Sequence, residues 1–582
     1  MRILFILLCV HVSLFADPCK DYYCDSSVVM EFVNIYIKKP VPLSKIAVQE
    51  NGRITRLTLS KFRVSTITAD LGRLTSLQAL DLSENKLTTL PKEIALLKNL
   101  VELDLSYNFF TSIPKSIFKL KKLTLLNLYR NRLTSIPEEI SNLESLTFLG
   151  MAGNQLSSLP PSIRGLVSLQ SLDASNNKLR YLPSSIARLS ALKELYLADN
   201  YISRLPKSFE KLKIERLDLR NNHLNTPESF PEEFWKLRAL TWLNLSNNRI
   251  DSLPDDIYKL KKVTHLDLSG NRLSALPQKL NRLSELKDIN LSSNRFYQFP
   301  GILLEMGSLK RLSITGNRLG SIPKEISKLQ KLVFLGIGSN KLKTLPREIG
   351  QVQTLEQLVL SENKIDTIPE ELGTLPKLLV LNLEFNRLKE IPQSLGQLNA
   401  LEVLNLGSNE LIIIPPTIGD LTKLQKLFLR NNNLTSLPPE LGNLISINFL
   451  DVGANRLTKL PSALGNLSGL TQLYIYNNKL TALGAELGYL SSLIFLDASN
   501  NQIENLPPEI GLLQNLTWIY LNDNQLGSIK NDVLTLTPWD YLDMDRNRLC
   551  FMTARQLKWM EKFATPHNSK WRLTQKCEEG VE

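Results

Sequence analysis

LDLSENKLTTLPKEIALLKNLVE, residues Leu80–Glu102, is followed without a gap by LDLSYNFFTSIPKSIFKLKKLTL, residues Leu103–Leu125. This 23-residue pattern decides the fold. Copies begin at residues 57, 80, 103, 126, 149, 172, 195, 217 and 243, and then every 23 residues to 542, which makes 22 starts. In L-x-L the two Leu point to one side of a short strand, while the residues between and around them point to the other. Later Leu and Ile positions turn inward as well, so one coil encloses apolar side chains that only stacked neighbours can cover. A chain of 582 residues would ordinarily divide into several compact domains. A repeat grows by stacking instead, so one elongated body can hold most of it.

Two more positions recur. An Asn follows the strand in 21 of the 22 copies, from Asn85 to Asn547; the exception is Phe62 in the first copy. Its amide both donates and accepts, so it can satisfy backbone groups where the chain leaves the strand. Farther on, Pro91, Pro114, Pro137 and their successors fix φ and give up a donor. With so few residues per coil the outer side has no room for a full helix, and extended or 3-10 turns are expected there. The fold class is therefore an α/β-type solenoid, a curved horseshoe with about 22 short parallel strands on its concave face. At roughly 4.8 Å per strand the inner face spans about 100 Å. The copy starting at Leu217 is longer and carries Pro227, Phe230, Pro231, Phe234 and Trp235, which predicts an extended outer loop; Gly484 and Lys530 replace the expected Pro.

The pattern L-x-x-L-x-L-x-x-N-x-L followed by L-P-x-x-I/L resembles the 23-residue form of the leucine-rich repeat family, over residues 57–549. The resemblance implies a recognition scaffold that binds proteins. Among its members the chain is similar to secreted bacterial proteins of the spirochaete type. Intracellular Ras-group scaffolds share the repeat but lack an export signal.

The ends differ from the array. Residues 1–16, MRILFILLCVHVSLFA, read as a secretory signal peptide, the apolar run being too short to span a bilayer. Residues 17–56 form an N-terminal cap. Residues 550–582 form a C-terminal cap with an amphipathic helix over Thr553–Phe563. Apart from Cys9, the cysteines are Cys19, Cys24, Cys550 and Cys577, two at each end. Local bridges Cys19–Cys24 and Cys550–Cys577 in an oxidising compartment are the favoured reading; four unpaired thiols are the other. The chain is expected to be secreted or held at the cell surface or periplasm, with no transmembrane segment.

No motif of an enzyme is present: no H-E-x-x-H, G-x-S-x-G, P-loop or G-x-G-x-x-G occurs. His223, His265 and His567 have no ligand spacing, so neither metal nor cofactor is expected. Function falls to the surface. Four side chains per copy should face the concave side: the residue before the first Leu, the one between the two Leu, and the two before Asn. From residue 80 onward these hold 17 acidic and 7 basic residues, although the chain as a whole carries +12. Such a face excludes nucleic acid.

Two candidate sites emerge. In the C-terminal copies the concave positions hold Phe428, Phe449, Asp451, Tyr474, Tyr476, Phe495, Asp497, Trp518, Tyr520 and Tyr541. Rings beside hydrogen-bonding groups on a rigid sheet are what a protein-binding hot spot needs; rings that only stack on one another would stiffen the coils instead. The second candidate lies directly after the Asn, where Arg249, Arg272, Arg295, Arg318, Lys341, Lys364 and Arg387 run unbroken. That basic ridge could bind a glycan or another polyanion, or serve as a solvated edge. A structural envelope protein is the third possibility.

Overall fold

A computed structural model describes residues 17–37, 40–225, 229–535, 541–562 and 571–577. The signal-peptide reading, Pro227, Phe563 and His567 lie outside these residues. The described residues fall into two compact units. One runs to Arg272 and includes Pro277–Glu285; the other comprises Leu273–Leu276 and Leu286 onward.

Both units are built from the same coil. From Ala79–Asp81 onward every strand has three residues, such as Val380–Asn382 and Val403–Asn405, and within each unit consecutive strands pair parallel. Register follows the repeat: Leu381 stands against Leu404, and Leu404 against Leu427. Only the N-terminal cap departs from this. Its strand β1 (Ala47–Glu50) pairs antiparallel with β2 (Arg53–Thr58), which begins the parallel series.

The core is a column of aliphatic side chains. In one coil Leu378, Leu381, Leu383, Leu388, Leu395 and Leu398 are all buried. Full burial of each is worth about 1.5–3 kcal/mol, and a lone coil would expose them all. Prolines set up the outer side. Pro369 is extended at φ −71° and ψ 145°, and the 3-10 turn Glu370–Thr374 follows directly. Gly484 takes the same extended conformation before Ala485–Tyr489, so the missing Pro changes nothing locally. In the longer copy Phe230, Phe234 and Trp235 turn inward as a buried aromatic cluster, with Phe234 and Trp235 edge to face at 4.9 Å.

Both ends are closed as the cysteine positions implied. Cys19 is bridged to Cys24, and Cys550 to Cys577. Helix α1 (Tyr22–Phe32) buries Asp25, which takes two hydrogen bonds from the Arg53 guanidinium and one from the Ile54 amide. Near the other end, helix α2 (Ala554–Lys562) buries Trp559 and Met560. Beyond it, the Lys576 amide donates to the Asn547 carbonyl and the Gln575 side chain to that of Met544, occupying acceptors the last coil would leave open. Among the described residues no helix is long and apolar enough to cross a membrane.

Candidate functional site

The aromatic residues of the C-terminal copies all lie in the second unit, on the strand face. Phe449, Phe495, Trp518 and Tyr541 open their strands, and Phe428, Tyr474 and Tyr520 close theirs. Register sets Phe428 against Asp451, Tyr474 against Asp451 and Asp497, and Tyr520 against Asp497 and Asp543. Rings and carboxylates thus alternate along one column, as the sequence indicated.

The rings themselves meet diagonally, between columns. Phe428 and Phe449 have centroids 4.6 Å apart, Phe449 and Tyr474 5.2 Å, and Tyr474 and Phe495 4.8 Å. The zigzag continues from Phe495 to Tyr520 at 5.6 Å and from Tyr520 to Tyr541 at 5.0 Å, where Trp518 stacks on Tyr541 at 5.5 Å. Each diagonal contact joins the first position of one strand to the third position of an adjacent one. Seven rings form one continuous ribbon. They remain partly exposed, and Trp518 is 40% exposed.

The carboxylates prove more occupied than their column implied. Asp451, Asp497 and Asp543 each accept, through Oδ1, the backbone N–H two residues on, at 3.0 Å. The same turn occurs at Asp81, Asp104 and Asp173, so this position first serves the coil. Asp451 is only 5% exposed. Burial pushes the carboxyls of Asp451 and Asp543 up from their ordinary range. Burial first, and the nearby aspartates second, raise the phenols of Tyr474, Tyr476, Tyr520 and Tyr541. These tyrosines stay neutral hydrogen-bond donors at physiological pH.

Tyr476 stands outside the ribbon. Its ring covers Gly453, where a Cβ would come within 2.3 Å of it. Next to it Arg430 reaches across two copies to Glu384, at 2.7 Å, over the bare backbone of Gly407. Columns read along the sequence missed this contact; the glycine between the two charges was its only signal.

The ridge residues are all exposed: Arg249 and Arg272 in the first unit, Arg295, Arg318, Lys341, Lys364 and Arg387 in the second. Their amides donate to the preceding copy, as Lys341 does to Leu319 at 2.9 Å, which stacks those of each unit in order. Arg318 lies over the Tyr297 ring at 5.1 Å.

Comparison with known proteins matches this geometry. The leucine rich repeat model matches residues 52–109 and 98–156, the leucine-rich repeat region model residues 138–228, 208–333 and 316–412, and a further leucine rich repeat model residues 423–444. A leucine-rich repeat protein of Leptospira interrogans is 36% identical, over 68% of this chain and 95% of that one, with a TM-score of 0.59. The chain belongs to the leucine-rich repeat family. Its repeats are also similar to those of a plant peptide hormone receptor in complex with RGF2, at 29% identity over 86% of this chain and 94% of that one, with a TM-score of 0.54. The leucine-rich repeat ectodomain of the Arabidopsis receptor kinase HAESA, in complex with an extended IDA peptide hormone ligand, is 26% identical over 96% and 98% of the two chains, with a TM-score of 0.56. No curated protein matches the sequence.

Proposed function

We propose that this chain is an exported, non-enzymatic recognition scaffold that binds a protein ligand on its strand face through the aromatic patch of the C-terminal copies. The observation that carries the reading is the ribbon of seven rings. Rings already packed on one another lose little freedom when a partner covers them, so more of the contact energy appears as affinity. Carboxylates fixed by their own turns add a preorganised polar border. Similar repeats in the two plant receptors have peptide hormone ligands, which supports a protein or peptide as the partner class. The two closed cysteine pairs and the apolar stretch of residues 1–16 support export.

The test is capture of partners from host and envelope fractions by the disulfide-intact chain, at low and high salt, beside a Tyr474→Ala, Trp518→Ala, Tyr520→Ala variant. A salt-resistant partner that the folded variant binds about 100-fold more weakly supports the aromatic face. A partner retained by the variant but lost at high salt moves binding to the Arg249–Arg387 ridge and a polyanion.

A further inference from the structure

A cavity lies away from the strand face in the first unit, at the outer edge of consecutive copies. It has a volume of about 610 Å³ and is lined by Lys236, Arg238, Tyr258, Lys259, Lys261 and Lys262. Lys236 and Lys259 end the 3-10 turns Glu232–Lys236 and Asp255–Lys259; the other cations follow in the segments leading back to the strands. The next copy adds Arg282 and Lys279, whose charged ends lie 5.3 and 5.7 Å from the centre of the Tyr258 ring.

Acidic neighbours compensate only part of this charge. Lys236 lies 3.7 Å from Glu210, Lys259 2.8 Å from Asp256 and 3.7 Å from Glu232, and Lys279 3.5 Å from Asp255. Among the described residues Arg238, Lys261, Lys262 and Arg282 form no ion pair. Concave clustering of like charge focuses a positive potential into the cavity, and an anion entering it relieves the repulsion among the four.

We propose that this cavity binds a small cyclic polyol or saccharide carrying several phosphate or sulfate esters. The volume is that of a small-ligand site rather than of a flat protein contact. Cations of two copies line it and two of a third stand on its Tyr258, so a compact ligand with several anionic groups meets more of them than an extended acidic chain does. Each ester presents three oxygens to ammonium and guanidinium donors, which suits a mixed Lys and Arg lining. Tyr258 contributes by holding Arg282 and Lys279 at the rim through cation–π contact. This site is independent of the aromatic ribbon.

Calorimetry on the full chain, at two salt concentrations, tests the proposal with sucrose octasulfate as the sulfate probe and inositol hexakisphosphate as the phosphate probe. A tetraglutamate peptide is the acidic-peptide control. Expected is one-to-one binding of at least one probe that weakens as salt rises. An Arg238→Gln, Lys261→Gln, Lys262→Gln variant should lose at least tenfold in affinity with its melting temperature unchanged, whereas Arg318→Gln, Lys341→Gln, Lys364→Gln on the ridge should lose less than twofold. Which probe binds distinguishes the two ester sources. Binding of neither probe, equal losses in both variants, or tetraglutamate binding as tightly as the esters overturns the proposal.

Discussion

Asn340 shows what one side chain does for a coil. Its amide donates to the carbonyls of Ile314, Ile337 and Gly338, and its Oδ1 accepts the Leu319 amide at 3.0 Å. One residue thereby joins two copies and leaves no buried partner unmatched. Truncation would orphan the Leu319 amide and the Ile314 carbonyl together. Asn340→Ala is expected to cost about 2–4 kcal/mol, read as a lower urea midpoint for unfolding. The position just before the Asn has a different role from the one its place in the repeat implies. Ser339, Glu362 and Phe385 are all left-handed, with φ of 49°, 57° and 54°. Such a backbone is free only to Gly and is tolerated best by short polar side chains that hydrogen-bond locally, which explains why Asn, Asp, Ser and Gly crowd this position. The strand face is thus read most directly from the first and third strand residues, and the residue before Asn follows the turn.

At the scale of the element, spacing between outer turns depends on a missing methyl group. A Cβ at Gly373 would lie 2.1 Å from the Ser394 carbonyl oxygen of the next 3-10 turn, against backbone that cannot swing aside. Gly373→Ala should therefore lower stability by about 2 kcal/mol or more, whereas Gly307→Ala, with nothing near its Cβ, should be close to neutral. Chemical denaturation of the two variants side by side checks this. The ribbon of rings belongs to the same scale. Columns of the repeat identified every ring in it, because register is fixed by the 23-residue period. The diagonal stacking was not legible, since it depends on where each ring leans once its neighbours are in place. Phe449 is paired in register with Lys426 and Gln472, yet its ring meets Phe428 and Tyr474.

In the whole molecule, stability is passed between neighbouring coils, so the ends are the weak points. Cys550–Cys577, 27 residues apart in sequence, ties Gln575 and Lys576 to the last coil, whose strand Tyr541–Asp543 carries the end of the ribbon. Replacing both cysteines with Ser is expected to remove about 3 kcal/mol of local stability. Amide exchange should then rise first at Tyr541–Asp543 and remain slow at Val380–Asn382. Charge, too, is arranged at this scale. The sequence count gave an acidic strand face and assigned much of the excess positive charge to the ridge after the Asn. The cavity around Tyr258 escaped that count, because its cations occupy several repeat positions and converge only when three coils are stacked.

By itself the sequence determined the coil, its 23-residue period, the inward aliphatic positions and the Asn and Pro roles, and it favoured extended or 3-10 outer turns and local cysteine bridges at each end. Each of these follows from local chemistry repeated at fixed spacing, where one copy's physics holds for all. Only the tertiary structure decided the antiparallel start of the N-terminal cap, the binding of the aspartates into their own turns and the diagonal path of the rings. It alone brought Arg430 across Gly407 to Glu384 and gathered the cations around Tyr258. These contacts join side chains in different copies through space, and a side chain's direction is set by the bulk of its neighbours, which no single repeat contains.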